Sequence, residues 1–328
     1  RYARLLACSL TLVLSSAAIA QDSGDARPVV GLRENPTKTM LLENARVFVG
    51  PGQVLESASV SIDGTSIVAV GQTIEPPPGA KVIDCTGKTI YAGLIDAYGE
   101  VDVPEPPTGG TGSWNGNILP RRAAAAAIQS VTDVSSARSQ GVTMRLIAPS
   151  GAIIKGTSCL VMLDGKDSAT LVDDDVAQHL QLTVPRDRRR DTYPNSPMGA
   201  VALLRQTLAD ADWYTRAWNA YSAKPELPRP TRNDDLARIA SDRSQGRFII
   251  DCPNERMALR AERIASEFSL EIWMRGSGRE YRDLQAIADA GRPLLVPVDF
   301  PDAPNVASEA SADNATLLEL IHWHFAPE

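Results

Sequence analysis

Three polar side chains alternate along one short stretch of the sequence. Asp96, Tyr98 and Glu100 stand two residues apart, so in a β-strand all three point to the same side. Asp251 and Arg275 each follow an apolar run that reads as a strand. The carboxylates of Glu100 and Asp251 would suit a hard cation such as Mg²⁺, Mn²⁺ or Ca²⁺ better than zinc. Arg275 would instead pair with the carboxylate or phosphate of a small ligand.

Histidine, a common metal ligand, is scarce, because the chain has only three. His179 lies apart from the strand ends just described, and we expect it to be solvated or to cap an element. His322 and His324 form an H-x-H string, but the segment around them reads as a helix, in which residues two apart face different directions. The string therefore does not predict a metal pair.

The remaining charged runs and nucleophile patterns predict no catalytic site. The run from Arg186 to Asp191 is typical of a solvated loop, with an anion clamp on an active-site loop as the alternative. Asp173 to Asp175 is predicted to begin a helix, with a hard-cation site as the alternative. The chain has no G-x-S-x-G elbow of a serine hydrolase. Cys85, Cys159 and Cys252 are too widely spaced for a disulfide framework, and we expect them to be free and buried.

The elements that position these residues begin with a small all-β unit. Between residues 40 and 90 the sequence consists of short runs with period-two alternation, such as Ala45–Val49 and Ala58–Ile62, which predict strands. Asp63-Gly64 is typical of a hairpin turn between two of them.

The later part of the chain alternates strands and helices. Phe248–Ile250, Leu270–Met274 and Leu294–Val298 are predicted strands, separated by two helices of which the first is capped by Asn254. Strands and helices that alternate at this short spacing predict βαβ units and a parallel sheet. The apolar spacing over residues 199–221 predicts one long helix.

The stretch from Lys81 to Tyr98, KVIDCTGKTIYAGLIDAY, resembles the junction in the amidohydrolase superfamily where a small β-sandwich passes into a barrel. Residues 84–88 match the D-x-x-G-K turn of imidazolonepropionase-like and dihydroorotase-like hydrolases, and residues 92–96 match the start of their first barrel strand. Proline is usual at the position of Ala92. The resemblance implies an α/β fold, with a sandwich over residues 40–91 and a TIM-like (β/α)8 barrel, incomplete at its C-terminus, over residues 92–328.

The resemblance also implies where metal-binding histidines should stand, and this chain has none there. The H-x-H pair of the first barrel strand falls on Tyr98 and Glu100. Two later histidines fall on Asp251 and Arg275 by strand spacing. The resemblance thus implies that these four side chains and Asp96 share one pocket. The implied metal site is therefore degenerate, with Glu100 and Asp251 as its weak remaining candidates. We assign no cofactor to this chain.

Three hypotheses for function follow. In the first, the chain is a non-catalytic module of a longer hydrolase that acts on carbon–nitrogen bonds other than peptide bonds. Its divalent metal would belong to the full-length protein, in a continuation beyond residue 328. In the second, it is a hydrolase with a carboxylate-based metal site. In the third, it binds a small molecule or serves as a scaffold on a barrel fold.

The N-terminus predicts export. Residues 1–20 have a basic start, a short apolar run and an A-x-A site, the pattern of a signal peptide, and the run is too short to span a membrane. A lipoprotein box at Cys8 is disfavoured because the apolar run continues past it. Residues 21–39 read as a linker. We therefore expect a periplasmic or extracellular protein with no membrane span after signal removal, and the net charge of -7 argues against a nucleic-acid partner.

Overall fold

The computed structural model describes residues 38–104, 114–164, 168–184 and 193–325. The predicted signal peptide, most of the predicted linker and the charged run from Arg186 to Asp191 lie outside these ranges. The chain divides into two compact units, with the boundary between Ala92 and Gly93. None of the helices described combines the length and the hydropathy needed to cross a membrane.

The first unit is built on one five-stranded sheet. Its strands are β1 (Thr39–Gly50), β2 (Gln53–Asp63), β3 (Ser66–Gly71), β4 (Lys81–Asp84) and β5 (Thr89–Ile90). β1, β2 and β3 are antiparallel neighbours, whereas β4 and β5 both run parallel to β1. The predicted hairpin turn joins β2 to β3, and Gly64 adopts a φ of 60° there, which glycine tolerates at little cost.

Period-two alternation builds the core of this unit. Successive strand residues point to opposite faces, so the apolar positions of β1 and β2 gather on one side. The buried members of this core are Ala45, Val47, Ala58, Val60 and Cys85. The described residues form this single sheet, and the second layer of a sandwich stays a prediction.

The second unit contains nine strands and seven α-helices among its described residues. The strands are β6 (Leu94–Val101), β7 (Val142–Pro149), β8 (Ile154–Thr157), β9 (Cys159–Met162), β10 (Thr170–Asp173), β11 (Gln178–Gln181), β12 (Phe248–Asp251), β13 (Ile272–Arg275) and β14 (Leu294–Leu295). The helices are α1 (Val134–Ser139), α2 (Pro197–Ala223), α3 (Asp234–Gln245), α4 (Glu255–Phe268), α5 (Leu284–Ala290), α6 (Glu309–Asn314) and α7 (Leu317–Phe325). Two 3₁₀ helices lie at Ala124–Ser130 and Glu280–Asp283.

The strands of this unit form two sheets. One has the order β10-β9-β7-β6, with β6 parallel to β7 and the other pairs antiparallel. The other has the order β14-β13-β12-β11-β8, in which β11 to β14 are parallel and β8 is antiparallel to β11. The fold is therefore mixed α/β. The predicted βαβ units are confirmed, since α4 connects β12 to β13 and α5 connects β13 to β14.

In the second unit, helices cover one face of the sheet that runs from β14 to β8. The side chains on the opposite face of this sheet are therefore free of the helices. The predicted cap of α4 is present, since the side chain of Asn254 accepts a hydrogen bond from the backbone nitrogen of Met257 at 3.0 Å. The strand residues that pack in the large core with the helices are Ile154, Leu180, Ile250 and Met274. Because strand residues alternate, a residue next to each of these four points to the opposite face of the sheet. In all four strands that neighbouring residue is polar. These residues are Lys155, His179, Asp251 and Arg275.

Three expectations about local structure need correction. The run Leu94-Ile95-Asp96-Ala97 is predicted from its apolar residues to be a buried strand, but Leu94 and Ile95 begin an edge strand and are 60% and 62% exposed. Asp173 to Asp175 do not begin a helix. Instead, the carboxylate of Asp173 accepts a hydrogen bond from the backbone nitrogen of Asp175 at 3.0 Å at the end of β10. The last predicted parallel strand is shorter than expected, since β14 ends at Leu295.

Candidate functional site

A charged cluster lies between the two sheets of the second unit, and Lys155 stands at its centre. The Lys155 side chain is only 2% exposed. Its Nζ donates to the hydroxyl of Tyr98 at 3.1 Å and to Glu100 Oε1 at 2.7 Å, and it also donates to Asp251 Oδ2. An ammonium group has three N–H donors, so these contacts satisfy all of them. We call Lys155, Tyr98, Glu100, Asp251 and Arg275 the lysine cluster.

Strand alternation explains how the cluster forms. Tyr98 and Glu100 lie two residues apart on β6 and therefore point to the same side. Asp251 and Arg275 end two neighbouring parallel strands and are direct partners in the ladder. Lys155 comes from β8, at the far side of the same sheet. Gly156, the next residue, has a φ of 113°, and a Cβ there would lie 2.3 Å from the carbonyl oxygen of Arg122, so only glycine fits beside this lysine.

Tyr98 connects the acidic and basic members of the cluster. Its hydroxyl lies 2.6 Å from Glu100 Oε1 and 3.1 Å from Asp251 Oδ2. The guanidinium carbon of Arg275 lies 3.7 Å from the centre of the Tyr98 ring, a cation–π contact. Burial, reinforced by the negative charges of Asp251 and Glu100, raises the pKa of Tyr98 far above its ordinary value. The phenol therefore stays protonated and acts as a hydrogen-bond donor.

The cluster favours the ionised form of Glu100. Partial burial alone would raise the pKa of this carboxyl, but hydrogen bonds from Lys155 and Tyr98 and the nearby positive charges hold it below its usual value. Glu100 is thus a carboxylate at neutral pH, as an ammonium partner requires.

His179 lies beside the cluster and contradicts the expectation of a solvated or capping residue. It is 0% exposed, on β11, with its ring centre 5.7 Å from that of Tyr98. Neither ring nitrogen has a hydrogen-bond partner among the described residues. Burial first, and then the positive charges of Lys155 and Arg275, lower the pKa of His179 to about 3. The imidazole is therefore neutral.

The structure brings together four of the five residues that the sequence assigned to one pocket, and it leaves Asp96 out. Asp96 accepts a hydrogen bond from Nε of Arg145 at 2.7 Å and another from the backbone nitrogen of Tyr98 at 3.2 Å. Its carboxylate is therefore engaged by a different arginine. At the other end of the unit, His322 and His324 lie on α7, as the sequence predicted for a helix.

The sequence analysis missed Lys155, although one signal was present. Lys155 directly follows the run Ala152-Ile153-Ile154, in which every residue is apolar. A lysine that continues such a run is expected to be buried, and a buried lysine needs charged partners. The three cysteines Cys85, Cys159 and Cys252 are free and buried, as expected.

The donor set of the cluster does not fit a divalent metal ion. Among the described residues, no group of three or more His, Cys, Asp or Glu side chains is arranged to hold one. More directly, the Lys155 ammonium lies between Glu100 and Asp251, the two carboxylates that were the weak metal candidates. Two cationic side chains, Lys155 and Arg275, already balance these two carboxylates. A divalent cation would meet an occupied and positively charged position.

A cavity of about 360 Å³ opens above the cluster. Glu100, Lys155, Asp251 and Arg275 line one part of it. The loop that follows β13 contributes Ser277, and the remaining wall includes Gln181, Thr183 and Asp299. The volume is at the lower end of the range for small-molecule sites in proteins.

Comparisons with known proteins agree with this geometry at the level of the fold. No family model matches the chain. An allantoinase from Enterococcus faecalis is 32% identical over 79 residues, which is 24% of this chain and 16% of the allantoinase. An amidohydrolase from Thermotoga maritima MSB8 superposes with a TM-score of 0.61 at 18% identity, covering 79% of this chain and 70% of the other. A triazine hydrolase from Arthobacter aurescens reaches a TM-score of only 0.36, which is too low to support an argument.

Over 79% of its length the chain therefore shares the fold of an amidohydrolase. The resemblance to the amidohydrolase superfamily that residues 84–96 indicated is confirmed by these structural neighbours. Because the matched stretch spans only 16% of the curated relative, activity and substrate do not follow from it.

Proposed function

We propose that this chain is a non-catalytic module of the amidohydrolase type, a metal-free relative of enzymes that hydrolyse carbon–nitrogen bonds. The two sheets of its second unit would correspond to part of a (β/α)8 barrel. The observation that carries the proposal is the position of the Lys155 ammonium between the carboxylates of Glu100 and Asp251.

Electrostatics supports this proposal. At 4 Å and an effective dielectric constant of about 20, a doubly charged ion and an ammonium repel each other by about 8 kcal/mol. At the same distance the two carboxylates would attract the ion by about 16 kcal/mol, and Lys155 together with Arg275 would cancel about all of this attraction. Without a bound divalent ion, this site lacks the Lewis acid that would lower the pKa of a water molecule and generate hydroxide at neutral pH.

The test is the metal content of the purified chain together with its hydrolytic activity. After dialysis, elemental analysis is expected to find less than about a tenth of an equivalent of any divalent metal, because the affinity of such a site is low. Activity toward a cyclic imide, a cyclic ureide and an N-acetyl amide, each assayed with and without added Zn²⁺ or Mn²⁺, is expected to equal the protein-free blank.

The matched control is Lys224→Met, which removes an exposed lysine elsewhere in the second unit. This variant is expected to have the same low metal content as the unmodified chain. Close to one equivalent of bound metal in the unmodified chain, released on Glu100→Gln or Asp251→Asn substitution, would refute the proposal and favour a carboxylate-based metal site.

We also propose that the chain is exported, on the basis of residues 1–20 alone. Expression of the natural gene followed by N-terminal sequencing tests this. A mature chain that begins at Gln21 supports export, and an unprocessed chain contradicts it.

A further inference from the structure

The Arg275 guanidinium is held in place but makes no hydrogen bond among the described residues. It stacks on Tyr98 and lies 3.8 Å from Asp251 Oδ1, which is too long for a hydrogen bond. Its side chain is 41% exposed and lines the cavity above the lysine cluster. A guanidinium that is already oriented by an aromatic ring can receive a carboxylate in a bidentate contact.

Acceptors without a donor lie on the same cavity. Asp251 is only 8% exposed, and its Oδ1 has no hydrogen-bond partner among the described residues. Glu100 engages both Lys155 and Tyr98 through Oε1, so its second oxygen has no donor in the part of the chain that the structure describes. Lys155 has no N–H left to offer to either oxygen. The Glu100 side chain is 40% exposed and lines the cavity, so its second oxygen can accept a hydrogen bond from a ligand ammonium.

We propose that this cavity binds a free α-amino acid. Its carboxylate would pair with Arg275, and its ammonium would donate to the second carboxylate oxygen of Glu100. The two charged groups of an α-amino acid are close neighbours, and Arg275 and Glu100 both contact Tyr98 and line the same cavity. The inference rests on the proposed metal-free site, because a metal at Glu100 and Asp251 would take the oxygens that the ammonium needs.

The cavity carries charges of both signs, so a zwitterion can pair with both at once. Three carboxylates line it, those of Glu100, Asp251 and Asp299, together with the two cations Lys155 and Arg275. A simple anion would pair with Arg275 alone, and a simple cation with the carboxylates alone. The volume of about 360 Å³ suits a single amino acid, and the rest of the wall is mixed, with polar residues such as Gln181 and apolar residues such as Pro297.

The experiment uses the complete chain and the twenty common L-amino acids as probes, each at a concentration of about 10 mM. Each is tested for a rise in melting temperature, and any that stabilises the chain is measured by isothermal titration calorimetry. The carboxamide and the N-acetyl derivative of that amino acid are then titrated. Each derivative lacks one of the two charges, and it is expected to bind about tenfold to a hundredfold more weakly than the parent.

Variants test the assigned residue. Arg275→Met keeps much of the aliphatic part of the side chain but removes the guanidinium, and it is expected to weaken binding by about tenfold or more. Arg275→Lys keeps the positive charge but loses the two parallel N–H donors of the guanidinium, and its affinity is expected to lie between those of Arg275→Met and the unmodified chain. Arg263→Met on α4 is the matched control and is expected to bind like the unmodified chain.

The outcomes separate this inference from the proposed function. If no amino acid binds, if both derivatives bind as tightly as the parent, or if Arg275→Met binds normally, the inference is overturned. Elemental analysis of the same sample gives an independent result. Bound metal overturns the metal-free site regardless of the binding data, whereas a metal-free sample that binds no amino acid overturns the present inference alone.

Discussion

Substitution of Lys155 by methionine tests the central contact of the molecule. The change removes the ammonium but keeps a side chain of similar length. It leaves Glu100 and Asp251 facing one another beside Tyr98, with Arg275 as the only nearby cation. Removing one partner from a buried ion pair typically destabilises a protein by about 3–5 kcal/mol. We expect a loss at the upper end of this range, since Lys155 is 2% exposed and has two carboxylate partners.

Urea unfolding followed by tryptophan fluorescence measures this loss of stability in the second unit, to which Lys155 belongs. All five tryptophans belong to the second unit, at positions Trp114, Trp213, Trp218, Trp273 and Trp323. Lys224→Met is the control, because Lys224 is exposed, and it is expected to change the free energy of unfolding by no more than about 0.5 kcal/mol. The combination of Lys155→Met with Glu100→Gln and Asp251→Asn is expected to recover part of the stability, because the uncompensated charges are then gone.

The same variant predicts a new dependence on cations. With the ammonium removed, Ca²⁺ or Mn²⁺ is expected to stabilise Lys155→Met, since a ligand that binds only the folded state raises stability with its concentration. The unmodified chain should not respond. A loss of less than about 1 kcal/mol in Lys155→Met would show that the ammonium is not confined by the two carboxylates, and the reasoning about the lysine cluster would be wrong.

Three further predictions concern Asp242 on α3, His179 and Gly156. Burial raises the pKa of Asp242 to about 6 despite its contact with Arg238, so its share of the stability is present in acid and is lost as pH rises from about 4 to about 6. Asp242→Asn should remove this loss, on the order of 3 kcal/mol, from a pH series of unfolding curves. The pKa of His179 is lowered instead, to about 3, so its share is present above about pH 6.5 and is lost on acidification. His179→Leu should therefore lose less stability than the unmodified chain between pH 6 and pH 4, measured in the same series, and equal slopes would contradict the assignment of a neutral imidazole. Gly156→Ala places a Cβ 2.3 Å from the Arg122 carbonyl oxygen, and calorimetry should find it destabilised by about 3 kcal/mol or more.

The positions of Tyr98, Glu100, Asp251 and Arg275 could be predicted from the sequence because they depend on local patterns. Alternation within β6 places the first two on one side, and the ends of two successive parallel strands place the other two next to each other. Both rules need only the strand assignment and the order of strands along the chain. The same rules placed Asp96 in the pocket, and they failed there because the competing partner, Arg145, comes from the neighbouring strand.

Lys155 and His179 could not be placed in this way. Lys155 lies on β8, a strand that pairs antiparallel with β11, and no short-range pattern predicts this pairing. His179 lies in the run Gln178–Gln181, in which three of the four residues are polar. Such a run lacks the apolar signal of a strand, although β11 is buried between its two neighbours. In both cases the environment is created by contacts between distant segments.

The lysine cluster also has a consequence for how this site can change over evolutionary time. Returning histidine to Tyr98 or Glu100 one position at a time would leave the Lys155 ammonium next to a neutral imidazole and a carboxylate short of partners. Removing Lys155 first would leave two facing carboxylates, at the cost worked out above. Each single step toward a metal site therefore passes through a less stable protein. The buried lysine therefore opposes, through its effect on stability, any stepwise substitution toward a metal site at this position.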